Sequence, residues 1–197
     1  EAIYFDSRCT PAYLKYADIY KSANAGLAIE KLNQLKTLEP SNTAIDKKLA
    51  EIYYLKNDFS KAADAYSRFA MGPTANEEDL VKYAFALFLN HDFAKSLEVA
   101  NMGLKKNPRH AAFNRLAMYN NTDLKRFEEA LKAADVFFNE CDKADYSYLD
   151  YMYYGHLLEE LKKYDEAVGQ YEKAVELDPT KTDLYKNISS AYEQKND

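Results

Sequence analysis

A period of about 34 residues constrains this chain more than any other feature. The small residues Ala28, Ala62, Ser96, Ala130 and Ala167 open equivalent amphipathic stretches, at spacings of 34, 34, 34 and 37. A second set, Ala17, Ala50, Ala84, Ala117, Gly155 and Ser189, is centred in a different stretch that precedes each of these and ends the chain without a partner. Self-similarity of this length marks a repeat architecture, with one two-helix unit per period. A small residue lets two helix backbones approach, and large apolar residues at i, i+3 and i+7 around it fill the interface. Neither helix can bury its face alone, so the units must stack.

Short polar turns join the two stretches of each unit: "KND" at 56–58, "NHD" at 90–92, "NTDLKR" at 121–126 and "KK" at 162–163. The first and fourth repeats have turns one residue off the common length. Only five Gly and five Pro occur in 197 residues, which argues against the turn-rich sandwiches and barrels and for helix.

The repeated residues follow a pattern. The fifth unit gives Tyr151, Tyr154, Gly155, Leu158, Tyr164, Ala167, Tyr171, Ala174 and Pro179. The second gives Leu49, Ala50, Tyr53, Phe59, Ala62 and Tyr66, and the third Leu80, Tyr83, Ala84, Leu87, Phe93, Ser96 and Pro108. This resembles the tetratricopeptide-repeat (TPR) family over residues 10–197. The resemblance implies an all-α fold, a right-handed α-solenoid of stacked antiparallel helix pairs. The expected pairs span 10–42, 43–76, 77–109, 110–147 and 148–181, after a remnant of a preceding segment at 1–9. Residues 182–197 form a sixth first helix, a truncated repeat or a cap, whose Tyr185, Ile188 and Tyr192 are expected to pack back on the fifth pair. The connection 138–147 is three residues longer than usual and lacks its Pro. The edges look cut, so the chain is expected to be part of a longer array.

The resemblance also implies a non-enzymatic protein–protein interaction module that binds a peptide or partner protein in a concave groove lined by the first helices. Carried onto this sequence, the groove positions give an apolar stripe, Tyr54, Val81, Phe85, Phe88, Met118 and Met152, joined by Tyr153 and His156. Exposed contiguous apolar surface marks a partner. One equivalent position per repeat gives a basic row, Lys15, Lys48, Lys82 and Arg115, suited to an acidic peptide. Lys47 and Arg115 match two of five residues by which some TPR co-chaperones clamp a terminal carboxylate, whereas Glu51, Lys82 and Ala111 depart from it. Chaperone-tail binding is therefore not predicted.

Other chemistry is not called for. There is no Gly-rich phosphate loop, and His91, His110 and His156 lie in three different repeats rather than at ligand spacing. No catalytic residue, cofactor or metal is expected. A net charge of −6 disfavours nucleic acid. No 18-residue apolar run crosses a membrane. Cys9 and Cys141 are expected as ordinary thiols. The compartment is left open between a bacterial cytoplasm and, after removal of a leader, the cell envelope or periplasm. Two other readings are a spacer or assembly segment of a larger multi-repeat protein, with self-association through exposed repeat ends, and a glycan-binding repeat domain using the tyrosines. Tyr151, Tyr154, Tyr164 and Tyr171 are expected to be packing residues.

Overall fold

The computed structural model describes residues 9–141 and 145–196. Among these residues the regular structure is entirely helical. It comprises α1 (Thr10–Tyr20), α2 (Ala25–Leu38), α3 (Thr43–Leu55), α4 (Phe59–Ala70), α5 (Glu77–Leu89), α6 (Phe93–Lys106), α7 (Ala111–Asp123), α8 (Phe127–Asp135), a π-helical turn (Val136–Glu140), α9 (Tyr148–Glu160), α10 (Tyr164–Leu177) and α11 (Asp183–Asn196). The chain divides into two compact units, 1–92 and 93–197. The division falls at the α5–α6 turn, inside the third expected pair. The sequence segment "EAIYFDSR", expected as the tail of a preceding helix, lies outside the described residues.

Four turns repeat one device. Asn57, His91, Lys125 and Lys162 each take a left-handed backbone, with φ of 58°, 61°, 58° and 59°. In each case the next residue's N–H reaches back to a carbonyl five residues earlier: Asp58 to Tyr53, Asp92 to Leu87, Arg126 to Asn121 and Lys163 to Leu158, at 2.8–2.9 Å. This Schellman closure satisfies carbonyls that the helix end leaves unpaired, and within each unit it sends the chain back along its own axis. The fourth turn therefore has the common form. The residue that looked like a longer turn lies in α7, which runs six residues past Ala117 where α3, α5 and α9 run five past Ala50, Ala84 and Gly155. The first pair turns differently: Asn24 caps α2 by accepting the Leu27 N–H at 3.1 Å.

In the first unit, α1 pairs with α2, α3 with α4, and α4 with α5. The core is aliphatic and alanine-rich, with Ala17, Ala28, Ala50, Ala62 and Ala84 essentially inaccessible beside Leu32, Ile45, Tyr66 and Tyr83. The second unit packs α6 on α7, α7 on α8, α9 on α10 and α10 on α11. Two glycines mark its closest approaches. A Cβ on Gly103 would stand 2.1 Å from the buried Phe113 ring, and one on Gly155 would stand 2.6 Å from Tyr171. Leu184 and Ala191 of α11 are buried and Ile188 packs on the Tyr171 core. Tyr185 and Tyr192 do not follow it inward. They are 55% and 47% exposed, because the buried line of α11 runs through Leu184, Ile188 and Ala191 and the two tyrosines sit one residue off that line.

The tyrosine-rich segment is a packing cluster. Phe138, in the π-helical turn, stacks on Tyr146 at 5.2 Å and on Tyr154 at 5.1 Å, and lies tilted against Tyr151 at 5.2 Å. The Tyr146 hydroxyl donates to the Phe138 carbonyl at 3.1 Å. The extra residues of the long connection thus bring an aromatic ring onto the face of α9. Such ring pairs add about 0.5–1.5 kcal/mol each beyond their area.

Two substitutions at special backbone positions should act in opposite directions. Lys162→Gly removes the left-handed strain of a residue with a Cβ and should raise stability by about 1 kcal/mol. Gly103→Ala should lower it by about 1–3 kcal/mol, since the added methyl meets a fixed ring and outweighs the gain in helix propensity. Urea unfolding followed by circular dichroism measures both.

Candidate functional site

Buried carboxylates organise where the cations go. Asp46, Asp79 and Asp150 are each at most 1% exposed and stand in the first turn of a first helix, α3, α5 and α9. A buried charge must be paired and hydrogen-bonded. Asp46 receives Lys36 at 2.5 Å and Arg68 at 3.0 Å. Asp79 receives Lys47 at 2.8 Å and accepts the Asn76 N–H at 3.1 Å in a capping box. Asp150 accepts the Ser147 N–H at 2.7 Å, Arg115 Nε at 2.7 Å, Arg115 Nη2 at 3.1 Å and the Tyr119 hydroxyl at 2.7 Å.

This changes the basic row. Arg115 also donates to the Asp145 carbonyl at 2.6 Å and lies 5.0 Å over the Phe137 ring, so it ties α7 to the start of α9. It is a structural arginine, and Lys47 is a structural lysine of the same kind. Lys48 bonds Asp18 at 2.8 Å and Glu51 at 3.2 Å. The bond from Lys48 holds the Asp18 carboxyl below its ordinary range, and burial of Asp18 opposes this only in part. Burial pulls Lys48 down, but its bonds to Asp18 and Glu51 outweigh that and raise it. Lys82 pairs with the exposed Glu78 at 2.7 Å, one turn away. Lys15 is exposed, with no ion pair among the described residues.

The predicted groove residues separate. In the first unit, Tyr54, Val81 and Phe85 are half-buried and line one cleft of about 560 Å³. Lys48 and Lys82 stand on the same walls, with Lys21 and Glu51. The Tyr54 ring is braced edge-on by Phe59 at 5.5 Å. Phe88, a turn further along α5, is half-buried and outside the cleft lining. Sequence reasoning missed Leu55 and Tyr66 as site residues. Leu55 is 60% exposed at the mouth. Tyr66 holds a packing position on α4 and is 1% exposed, yet it reaches the cleft from behind. Its hydroxyl makes no hydrogen bond among the described residues. Burial raises its pKa, helped by the nearby carboxylates of Glu51 and Asp79. The sequence held no signal for it, because Tyr171 holds the equivalent position and is a core packing residue.

In the second unit the predicted stripe is taken up by packing. Met118 is 0% exposed and is a core residue, not a groove residue. The physical reason is that Leu116–Thr122 are seven consecutive buried residues, so α7 is covered all round in its last two turns. Met152 packs against the Tyr171 core. Tyr153 stacks on Tyr119 at 4.1 Å and donates to Asp123 at 3.0 Å. His156 is exposed, 4.0 Å from Glu160. Among the described residues no group of acidic, His and Cys side chains could hold a metal ion, and no helix is long and apolar enough to cross a membrane. Cys9 and Cys141 form no disulfide.

Residues 155–196 match the family described as TPR repeat. Solved structures extend the likeness to nearly the whole chain. YrrB, described as a TPR protein with an unusual peptide-binding site, superposes with a TM-score of 0.74 at 14% identity, covering 93% of this chain and 94% of its own. A tetratricopeptide repeat protein from Parabacteroides merdae gives 0.74 at 19% identity, over 94% of this chain and 74% of its own. The MamA protein gives 0.70 at 17% identity, over 89% and 95%. No curated protein matches the sequence. The C-terminal residues thus match the TPR repeat family, and nearly the full length has the fold of tetratricopeptide-repeat structures.

The two kinds of cation are separable by mutation. Arg115→Ala strands a buried carboxylate and should cost about 3–5 kcal/mol in stability. Lys82→Ala removes an exposed pair and should change stability by less than about 1 kcal/mol. Denaturant unfolding of the two variants checks this contrast.

Proposed function

We propose that this chain is a non-enzymatic interaction module whose first unit holds a peptide segment of a partner protein in the cleft between α1, α3 and α5. The tetratricopeptide repeat is in general a protein–protein interaction fold, which sets the class of partner. The observation that carries the finer reading is Tyr66: an almost wholly buried tyrosine whose hydroxyl opens on the cleft and has no partner among the described residues. A buried Tyr hydroxyl normally finds a hydrogen-bond partner, and a peptide carbonyl is a suitable one. Around it, Tyr54, Val81 and Phe85 offer apolar contact for one anchoring side chain, and Leu55 extends that surface outward. The volume falls in the range of clefts that take compact ligands. Its mouth carries Lys21, Lys48 and Lys82 against Glu51, so the surface favours a segment with acidic residues beside its apolar anchor. The peptide-binding site described for YrrB supports the reading by fold only, given 14% identity.

Peptides selected by display on the immobilised chain provide the test, with affinities read by fluorescence anisotropy. Phe85→Ser in combination with Tyr54→Ser should weaken a selected peptide about thirtyfold, in line with about 2 kcal/mol for an anchor residue. Tyr66→Phe should weaken it severalfold through the lost hydroxyl alone. Equal affinity for the wild type and the folded double variant would refute the cleft assignment.

A further inference from the structure

One helix of the second unit keeps the register of a helix-docking face and carries no helix on it among the described residues. Tyr185, Ser189 and Tyr192 of α11 hold the positions of Tyr151, Gly155 and Leu158 of α9. In α9 that line takes α10: Leu158 is buried, and the Tyr171 ring lies where a Cβ on Gly155 would stand. In α11 the same line is open. Tyr185 and Tyr192 are 55% and 47% exposed, and Ser189 is exposed too. Helix α11 docks on its own core through Leu184, Ile188 and Ala191 instead. Exposure alone does not say what covers a face, but its pattern of rings and charges does. At about 100° per residue, Tyr185 and Tyr192 fall about 40–60° to one side of Ser189, and Lys186 and Glu193 fall about 40–60° to the other. Each flank has one residue about a turn before Ser189 and one about a turn after it. One flank thus has a ring at both ends, and the other has a cation at one end and an anion at the other. Both charges are exposed. Lys186 pairs with the equally exposed Asp183 at 2.7 Å, and Glu193 accepts the Ser189 hydroxyl at 3.3 Å. Such surface pairs are weak and exchange readily.

We propose that α11 is a self-complementary surface through which the chain pairs with a second copy of itself, the two α11 helices antiparallel and crossing at Ser189. A two-fold axis at Ser189 reverses the order of residues along the helix and keeps each residue on its own flank. Tyr192 then meets the second copy's Tyr185, and Glu193 meets the second copy's Lys186, each contact occurring twice. A parallel pairing exchanges the flanks and sets rings against charges. The small Ser189 side chain at the crossing lets the two backbones approach to the about 8–10 Å of packed helices. Tyrosine suits this place, since its ring packs while its hydroxyl stays in water. One helix from each copy makes a small interface, below the size of stable complexes, so the dimer is weak, with Kd in the upper micromolar range. The contact uses none of the first-unit cleft and does not rest on the function proposed for it.

Sedimentation equilibrium of the whole chain, from low micromolar to near-millimolar concentration, tests this. The mass should rise from one chain to two and stop there. Tyr192→Ser should raise the dimer Kd about tenfold, the loss of two ring contacts. Glu193→Lys sets like charges together twice and should raise it about fivefold, as should Lys186→Glu. The combined Glu193→Lys, Lys186→Glu chain restores opposite charges across the axis and should return Kd to within about threefold of the wild type. These positions are exposed, and circular dichroism verifies that each variant is folded. Crosslinking reads the direction of the helices. In a Cys9→Ser, Cys141→Ser background, Ser189→Cys should form a disulfide-linked dimer under mild oxidation. Tyr185→Cys should not, since antiparallel packing holds the two copies of that position about 12 Å apart. A chain that stays monomeric at every concentration overturns the proposal. So does growth beyond two copies, the mark of a head-to-tail contact. An unchanged Kd in folded Tyr192→Ser, or a double exchange that fails to rescue, overturns it as well.

Discussion

Each α-helix among the described residues is between 9 and 14 residues long. Isolated helices of that length are marginal in water, because the nucleating turn costs more than a few propagating bonds return. Stability therefore has to come from side-by-side docking, and docking depends on how closely two backbones can approach. Glycine fixes that distance at two places in the second unit. The Phe113 and Tyr171 rings occupy space that a methyl on Gly103 or Gly155 would need. In the first unit, buried alanines at the corresponding small positions do the same work with slightly more separation. The four left-handed turn residues follow from this requirement. A pair can only dock at its small residues if the reversal between its helices is short, and the Schellman closure is the short reversal that also satisfies the helix end.

The same economy governs charge. A first helix that starts against its neighbour buries its opening turn, where a carboxylate is favoured by the unpaired N–H groups. Asp46, Asp79 and Asp150 take that role, and each then demands a cation. Lys36, Arg68, Lys47 and Arg115 meet that demand. A row of positive residues in an acidic protein is therefore partly a row of structural counterions. The cations at the first-unit cleft are paired more loosely, Lys21 and Lys48 with the half-exposed Asp18 and Lys82 with the exposed Glu78, at the surface rather than in the core.

The period made the helix pairs legible. Ala17, Ala50, Ala84, Ala117 and Gly155 are buried at contacts between helices, whereas Ser189, the sixth of the set, is exposed and Ala191 is buried in its place. Tyr151, Tyr154 and Tyr171 are likewise packing residues. The groove was less legible, for a specific reason. A repeat register gives the direction of a side chain on its own helix, not how much of that helix its neighbours cover. Phe85 and Met118 hold the same register position, one after the small residue, yet Phe85 lines a cleft and Met118 is in a core. Helix α7 is a residue longer past its small position and is buried on every side there, which the register does not encode. Arg115 misled in a related way, since its partner Asp150 lies 35 residues on, across a connection of irregular length.

Polar groups at a cleft are the counterpart of that failure. Packing explains an aromatic stripe completely once its neighbours are known, so exposed apolar residues alone carry little functional weight in an array of this kind. The Tyr66 hydroxyl is different. It has no hydrogen-bond partner among the described residues and reaches the first-unit cleft, where water can bond it. Under the proposed function a ligand's backbone takes the place of that water, and a purely apolar occupant would leave the hydroxyl unpaired.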